Sequence, residues 1–161
     1  MSTRRTNRIG VIGPSVAEPE ILSLAEEVGF EIAQRNAILV CGGLGGVMEA
    51  AARGAKRAGG LTLGILPGTF GDEANEFIDL PLPTGLGEAR NVLVVRSSLV
   101  LIAIAGSYGT LSEIALALKL GVPVVALRSW QLRTPEGDEP PVIAARSAKE
   151  AVELALKAIA G

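Results

Sequence analysis

The feature that most constrains the fold of this 161-residue chain is a repeated alternation of short apolar runs with longer helix-period segments. The apolar runs are rich in Val, Ile and Leu, and the segments between them carry apolar residues at helical spacing. Strands that alternate with helices form parallel sheets, because a parallel connection needs a crossover that a helix supplies. We therefore expect an α/β, Rossmann-like, three-layer fold with a central, mainly parallel sheet and helices on both faces.

The pattern also predicts where the elements lie. Strands are expected at residues 8–13, 37–41, 61–66, 77–80, 99–104, 122–127 and 142–145, and helices at 18–35, 46–58, 88–96, 110–119 and 147–160. Ser147 is the expected N-cap of the last helix, with Glu150 at the capping-box position. The length suits one domain, so residues 1–161 are expected to form a single nucleotide- or phosphate-binding domain in which 1–7 are flexible.

Composition excludes several classes of site and partner. The chain has no histidine, which excludes a Ser-His-Asp triad and a histidine-ligated zinc ion, and we expect no metal site. The single cysteine, Cys41, cannot form an intramolecular disulfide and fits a reducing compartment. A net charge of −2 gives no support for nucleic-acid or membrane binding. Without a signal peptide or an apolar segment of roughly 20 residues, we expect a cytoplasmic protein with no membrane or nucleic-acid partner.

Glycine-containing turns follow four of the predicted strands, at 13–15, 42–46, 67–68 and 106–110. The carboxyl ends of parallel strands lie at one edge of the sheet, where open α/β sheets bind their ligands. The turns are therefore expected to form a ligand-binding edge, to which the first contributes Gly13 and Ser15.

The turn at 106–110 has the most specific pattern. Gly106, Ser107 and Gly109 precede a helix whose unpaired N–H groups and dipole suit a phosphate, and Thr110 can cap that helix and donate its hydroxyl to a phosphate oxygen. Glu113 follows about one helical turn later. The alternatives are an ordinary helix cap and a solvated acid in the first helical turn.

The turn at 42–46 contains Gly42, Gly43, Gly45 and Gly46, which allow a ligand to approach main-chain amides. Its spacing is not G-x-G-x-x-G, and the alternative is a tight structural turn. Arg90 and Asn91 lie in another predicted helix, where the arginine fork can bind phosphate or carboxylate or can lie on the surface.

Three segments, CGGLGGVMEAAARGA, ARNVLVVRSS and GSYGTLSEIALALKLGVPVV, resemble in this order the family formerly described as lysine decarboxylases. That family includes the LOG-type phosphoribohydrolases and the molybdenum cofactor carrier proteins, and the resemblance extends over residues 8–127. The phosphoribohydrolase pattern P-G-G-x-G-T-x-x-E, with an earlier Arg-Lys pair, is matched at Arg90, Gly109, Thr110 and Glu113. It is not matched at Ala105, Ser107 and Asn91, and the Arg-Asn pair is more similar to the carrier branch.

The resemblance implies a ligand such as an AMP-like nucleotide or molybdopterin, and a homodimer or homotetramer. One implied function is hydrolysis of the N-glycosidic bond of a nucleoside 5′-monophosphate, with Arg90 and Glu113 in the catalytic positions and no cofactor required. The alternative is a non-catalytic carrier with the molybdenum cofactor as cargo, and a third is a regulatory domain with a vestigial site. Lysine decarboxylation is disfavoured, because no lysine lies in a recognisable pyridoxal-phosphate setting.

Overall fold

A computed structural model describes residues 6–161 of the chain. Seven strands form one sheet in the order β4-β3-β2-β1-β5-β6-β7, and every neighbouring pair is parallel. The strands are β1 Arg8–Ile12, β2 Ile38–Cys41, β3 Thr62–Leu66, β4 Leu80–Pro83, β5 Val100–Ile104, β6 Val124–Leu127 and β7 Val142–Ala145. The helices are α1 Pro19–Gln34, α2 Val47–Arg57, α3 Asn91–Ser97, α4 Tyr108–Leu120 and α5 Ala148–Ala160.

The sheet has an apolar core on each face, because side chains along a buried strand point alternately to its two sides. Ile9, Val11 and Ile102 belong to the core formed with α1, α2 and α5. Ile12 and Leu101 belong to the core formed with α3 and α4. The expected α/β, three-layer fold is thus confirmed, and its sheet is parallel throughout.

Helices α1 and α2 pack with their backbones in direct contact. A Cβ atom on Gly29 would lie 1.8 Å from the carbonyl oxygen of Ala51, and one on Gly54 would lie 1.9 Å from that of Glu26. Only glycine permits this approach at both positions. The two helices therefore form one closely packed layer over the centre of the sheet.

Three local predictions were wrong. The fourth strand is Leu80–Pro83 and not 77–80, since β4 is an edge strand, where prolines are tolerated. The predicted helix 88–96 is a 3-10 turn over Gly87–Arg90 followed by α3. Helix α4 begins at Tyr108 and is capped by Ser107 rather than by Thr110.

The cap of α5 is at Ser147 as predicted, where its side chain accepts a hydrogen bond from the Glu150 amide. The Glu150 carboxylate accepts from the Arg146 amide at 2.7 Å, one residue before the capping residue. Part of the flexible segment expected at 1–7 lies outside the described residues, which begin at Thr6. None of the helices in this part of the chain has the length and apolar character needed to cross a membrane.

The strand order reverses between β1 and β5, which lie side by side although they are far apart in the chain. In open α/β sheets the crevice outside the carboxyl ends of two such strands is the usual ligand position. Here the loops after β1 and β5 border that crevice, and the loop after β2 lies next to them.

Candidate functional site

The loop after β1 contacts both the loop after β2 and the end of β5 at the carboxyl edge of the sheet. The Val47 amide, at the start of α2, donates to the carbonyl of Pro14 at 3.0 Å. Gly13 fits between the β2 loop and β5, because a Cβ atom there would lie 2.6 Å from Val47 Cγ1 and 2.8 Å from the Ile104 carbonyl oxygen. The structure thus brings together three of the glycine turns predicted from the sequence.

The turn after β2 takes its shape from backbone conformations that favour glycine. Gly43 has φ +77° and Gly46 has φ +63°, and a Cβ atom on Gly46 would lie 2.4 Å from the Pro14 carbonyl oxygen. Helix α2 begins after Gly46 without a side-chain cap. Within residues 6–161, the amides of Leu44, Gly45, Gly46, Met48 and Glu49 donate to no protein acceptor. These donors suit an anion.

Asn75 is remote from this turn in the sequence but hydrogen bonds to it in the structure. It was not predicted as a site residue. Its side-chain amide donates to the carbonyl of Leu44 at 2.8 Å, and its backbone amide donates to that of Gly43 at 2.9 Å. The only local signal was a polar residue in an irregular segment. Asn75 therefore positions the β2 turn without presenting a group to the crevice.

Arg90 extends its guanidinium over the β2 turn. A Cβ atom on Gly42 would lie 2.8 Å from Arg90 Nη2, so the absence of a side chain at Gly42 makes room for the arginine. Nη1 donates to the side-chain oxygen of Asn91, whereas Nε is buried without a hydrogen-bond partner in the described residues. An unpaired buried donor on a permanent cation is a strong reason to expect an anionic acceptor nearby.

Glu113 is buried on α4 beside this arginine, with 9% of its surface exposed. Burial raises the pKa of Glu113 from an ordinary 4.5 to about 7, and the Arg90 charge opposes this shift. No nitrogen–oxygen pair between the two side chains is within 4.0 Å in residues 6–161. Glu113 can therefore change its protonation near neutral pH while it stays within electrostatic reach of Arg90.

Cys41 ends β2 beneath the same cluster. Burial raises the pKa of its thiol to about 11, although the Gly43 amide and the Arg90 charge favour the thiolate. A protonated, fully buried thiol behaves as a small apolar side chain. Cys41 is thus part of the core under the turn, as the sequence predicted.

The turn after β5 is held by side chains. Ser107 Oγ accepts from the Thr110 amide at 3.3 Å and lies 3.1 Å from Thr110 Oγ1. Thr110 is only 1% exposed, whereas Gly106 and Gly109 are exposed at the edge. The amides of Tyr108 and Gly109 remain without acceptors in the described chain. They are the donors that this turn offers to a ligand.

Trp130 supports the β5 turn and was not expected from the sequence as a site residue. Its Nε1 donates to the Ser107 carbonyl at 3.1 Å, and a Cβ atom on Gly106 would lie 2.6 Å from the same nitrogen. The Tyr108 ring lies 6.2 Å from the Trp130 ring, centroid to centroid. The contact joins residues 23 positions apart, so no local pattern indicates it.

A groove of about 460 Å³ opens beside the turn, between the segment before α3 and the first turns of α4. Glu88, Asn91, Tyr108, Gly109, Ser112 and Leu116 line it. Ser15 is exposed next to Gly45, whose Cβ position lies 3.5 Å from the Ser15 carbonyl oxygen.

Backbone amides, a guanidinium and a carboxyl that titrates near pH 7 can together bind a phosphate and respond to its charge. No group of three or more His, Cys, Asp or Glu residues in 6–161 is arranged to hold a metal ion.

Comparison with known proteins identifies a family and a related archaeal protein. The sequence profile of the SLOG cluster4 family matches residues 6–155. An uncharacterised protein of Archaeoglobus fulgidus is 50% identical over 121 residues, which are 75% of this chain and 80% of that protein.

The solved structures that are similar over almost the whole chain include two molybdenum cofactor proteins. The molybdenum cofactor binding protein from the phototrophic bacterium Rippkaea orientalis is 39% identical, with a TM-score of 0.88 over 99% of this chain and 100% of its own. The molybdenum cofactor carrier protein from Chlamydomonas reinhardtii is 38% identical, with a TM-score of 0.85 over 98% of this chain and 100% of its own.

Proposed function

The chain belongs to the SLOG cluster4 family, and from this premise we propose that it binds the molybdenum cofactor, a phosphorylated pterin, as cargo. The resemblance of its sequence to the LOG-type and molybdenum cofactor carrier family is confirmed by the profile match and by both structural relatives. In this proposal the phosphate binds between the β2 and β5 turns, and the protein leaves the ligand chemically unchanged.

The observation that carries the proposal is the unpaired Nε of Arg90, buried above Gly42 beside two helix starts with free amides. A phosphate there would accept from the guanidinium and from backbone N–H groups at the positive ends of helix dipoles. Charge-assisted hydrogen bonds of this kind are roughly twice as strong as neutral ones. The glycines of the β1, β2 and β5 turns, Ser107 and Asn91 would shape the cradle, and Thr110 would act through its bond to Ser107.

The backbone at Ala105 favours a carrier over a hydrolase. Ala105 has φ +54°, whereas a proline ring holds φ near about −65°. The proline that begins the phosphoribohydrolase pattern cannot adopt the conformation of Ala105. The substitution in the sequence therefore accompanies a turn of different backbone shape, and this difference supports the carrier alternative.

Cofactor binding tests the proposal directly. Molybdenum cofactor released from a molybdoenzyme is mixed with the protein, and molybdenum and pterin fluorescence are measured across a gel-filtration profile. We expect both to co-elute with the protein, and Arg90→Met to weaken retention about tenfold through the lost charge-assisted bonds. Arg96→Met is the matched control, because Arg96 is exposed in the last turn of α3. Absence of co-elution, or an equal loss in both variants, contradicts the proposal.

A second candidate is favoured by Glu113, a buried carboxyl with a pKa near 7 next to the phosphate cradle. In this alternative, Glu113 takes a proton from water, the water oxygen bonds to C1′ of a nucleoside 5′-monophosphate, and the C1′–N bond breaks. The base leaves with the bonding electron pair and is protonated from solvent. Chromatography of an AMP reaction tests it: adenine and ribose 5-phosphate must form, and Glu113→Ala must abolish their formation.

We also propose a homodimer or homotetramer formed through the face that carries α3. Apolar side chains remain exposed on and before α3, with Leu86 at 52% and Leu93 at 37%. Apolar surface of this kind is typical of subunit contacts. Sedimentation equilibrium at micromolar concentration is expected to show a dimer or larger, and a monomer alone would overturn this inference. Leu93→Glu should shift the distribution toward monomer.

A further inference from the structure

A second cavity lies immediately after β6, on the same sheet face as α3 and α4. Its volume is about 710 Å³, within the range of roughly 300–1,000 Å³ that small-molecule sites occupy. Ala126 of β6 and Val142 and Ala144 of β7 form its floor, since these residues project to one side of the sheet. Small side chains on adjacent strands leave space that no helix fills.

Trp130 forms a wall of this cavity and also supports the β5 turn. Its N–H group is bonded to the Ser107 carbonyl, so the indole has a fixed position and no unpaired donor. Leu132 adds apolar surface, and Arg133 lies at the cavity, where it donates to the Gly137 carbonyl at 3.1 Å and pairs with the Glu139 carboxylate of the same lining at 3.5 Å. The lining therefore offers an aromatic surface beside a guanidinium–carboxylate pair, which together suit a planar ring with polar edges.

The cavity is held in a fixed position relative to the phosphate cradle. β5 and β6 end in similar conformations, with φ +54° at both Ala105 and Arg128. The next residue, Ser129, donates its hydroxyl to the Ala105 carbonyl, and the Ala105 amide donates to the carbonyl of Leu127 at 3.3 Å. Positive φ values at non-glycine residues are uncommon and often occur at functional sites. Trp130 thus contacts the β5 turn and also lines the cavity, which places the cavity next to that turn.

We propose that the Trp130 cavity is the subsite for the planar heterocyclic ring of the ligand whose phosphate binds at the β2 and β5 turns. The inference rests on the proposed function, because it assigns a position to the second half of the same ligand. The shared ligand chemistry is a phosphate ester of a planar, hydrogen-bonding ring, which a pterin phosphate and AMP both supply.

The position of Trp130 makes a direct measurement practical, since it is the only tryptophan in the chain. The full chain is titrated with 6-hydroxymethylpterin monophosphate, AMP, unphosphorylated 6-hydroxymethylpterin and inorganic phosphate, and tryptophan fluorescence and binding heat are recorded. We expect a ring-bearing phosphate to quench Trp130 and to bind at least about tenfold more tightly than inorganic phosphate. The arms with pterin and AMP distinguish which ring the cavity accepts.

Ala144→Leu separates the cavity from the cradle. Ala144 is exposed on the cavity floor. A leucine side chain at this position therefore extends into the cavity and not into the protein core. We expect this variant to bind the ring-bearing phosphate about tenfold more weakly and inorganic phosphate unchanged. Ala160→Leu, at the exposed end of α5, is the matched control and should behave as the parent chain. Thermal unfolding of each variant checks that the fold is intact.

The outcomes separate the two proposals. If Ala144→Leu binds the ring-bearing phosphate as tightly as the parent, the cavity assignment is overturned while phosphate binding at the turns stands. If the parent binds neither phosphate nor any phosphate ester, both proposals fail. A selective loss of the pterin phosphate or of AMP in Ala144→Leu supports the subsite and identifies its ring.

Discussion

The turns after β2 and β5 have the same plan in sequence, an apolar strand followed by glycines and a helix, but they are stabilised differently. The β2 turn depends on backbone conformation, with positive φ at Gly43 and Gly46 and no side-chain cap on α2. The β5 turn depends on side chains, because Ser107 caps α4 and Trp130 holds the Ser107 carbonyl. The first turn should therefore be sensitive to an added Cβ atom at Gly43 or Gly46, and the second to the loss of particular groups.

The difference also affects what each turn offers to a ligand. Several amides at the β2 turn have no acceptor within the described chain, whereas the Thr110 amide of the β5 turn is occupied by Ser107. Free helix-start amides bind anions. The β2 turn is accordingly the larger source of hydrogen-bond donors, and the β5 turn contributes the buried acid, Glu113.

The largest expected effect tests the backbone dependence of the β2 turn. Gly46→Ala should lower the free energy of unfolding by about 3 kcal/mol or more, because φ is +63° and the added Cβ lies 2.4 Å from the Pro14 carbonyl oxygen. Urea unfolding followed by circular dichroism measures the change. Gly45→Ala is the control: its nearest contact would be at 3.5 Å, and its effect should stay within about 0.5 kcal/mol. Equal losses in the two variants would show that this turn is not held by its backbone.

The second prediction concerns the pH dependence associated with the β5 side of the site. The pKa of Glu113 is raised by burial to about 7, so between pH 4.5 and 7 the folded state retains a proton that the unfolded state loses. Stability must therefore fall as pH rises through this range, by about 3 kcal/mol in total. Glu113→Gln should remove this fall. Glu49→Gln, at the start of α2, should retain it, and a parent-like pH profile in Glu113→Gln would contradict the assignment.

A third, smaller effect tests whether Trp130 restrains the β5 turn. Gly106→Ala places a Cβ atom 2.6 Å from Trp130 Nε1, so the indole must shift at a cost of about 1–2 kcal/mol. The emission maximum of Trp130 should move with it. In Gly109→Ala the added Cβ lies 3.7 Å from Ser107 Oγ, an ordinary contact, and neither stability nor emission should fall. If Gly106→Ala changed neither the stability nor the emission maximum, the contact with Trp130 would not restrain the β5 turn.

The smallest effect compares two caps. Ser107→Ala should cost about 1 kcal/mol, because the Thr110 amide loses its acceptor. Ser147→Ala, which removes the same bond at α5, should cost a similar amount but leave phosphate affinity unchanged. If Ser147→Ala weakened phosphate binding as much as Ser107→Ala, the effect of Ser107 on the site would be one of general stability.

The alternation of strands and helices could be predicted, because the apolar runs of strands and the helical spacing of apolar residues are both visible in consecutive residues. The edge strand β4 was predicted three residues too early, since Pro81 and Pro83 argue against a strand unless its edge position is known. Ser107 and Thr110 are both good capping residues, and only the backbone geometry distinguishes them.

The candidate site was predictable in part, for a related reason. Glycine turns and Arg90 can be recognised locally, and parallel topology places their loops at one edge. Asn75 contacts the β2 turn and Trp130 contacts the β5 turn, although 31 and 23 positions, respectively, separate the partners in the sequence. Contacts between such distant residues produce no periodic pattern in the sequence. The unpaired Nε of Arg90 depends on packing as well, and could not be inferred from residue type.

The glycine contact between α1 and α2 has a consequence for how binding could be lost. Helix α1 follows the β1 loop and α2 follows the β2 turn, so the spacing of these helices also sets the spacing of the two loops. Gly29 lies about ten residues, or roughly 15 Å, along α1 from the edge of the sheet. A screen of random variants for impaired ligand retention should nevertheless recover substitutions at Gly29 and Gly54. Such alleles would resemble site mutations in phenotype although the substituted residues lie between two helices and outside the site.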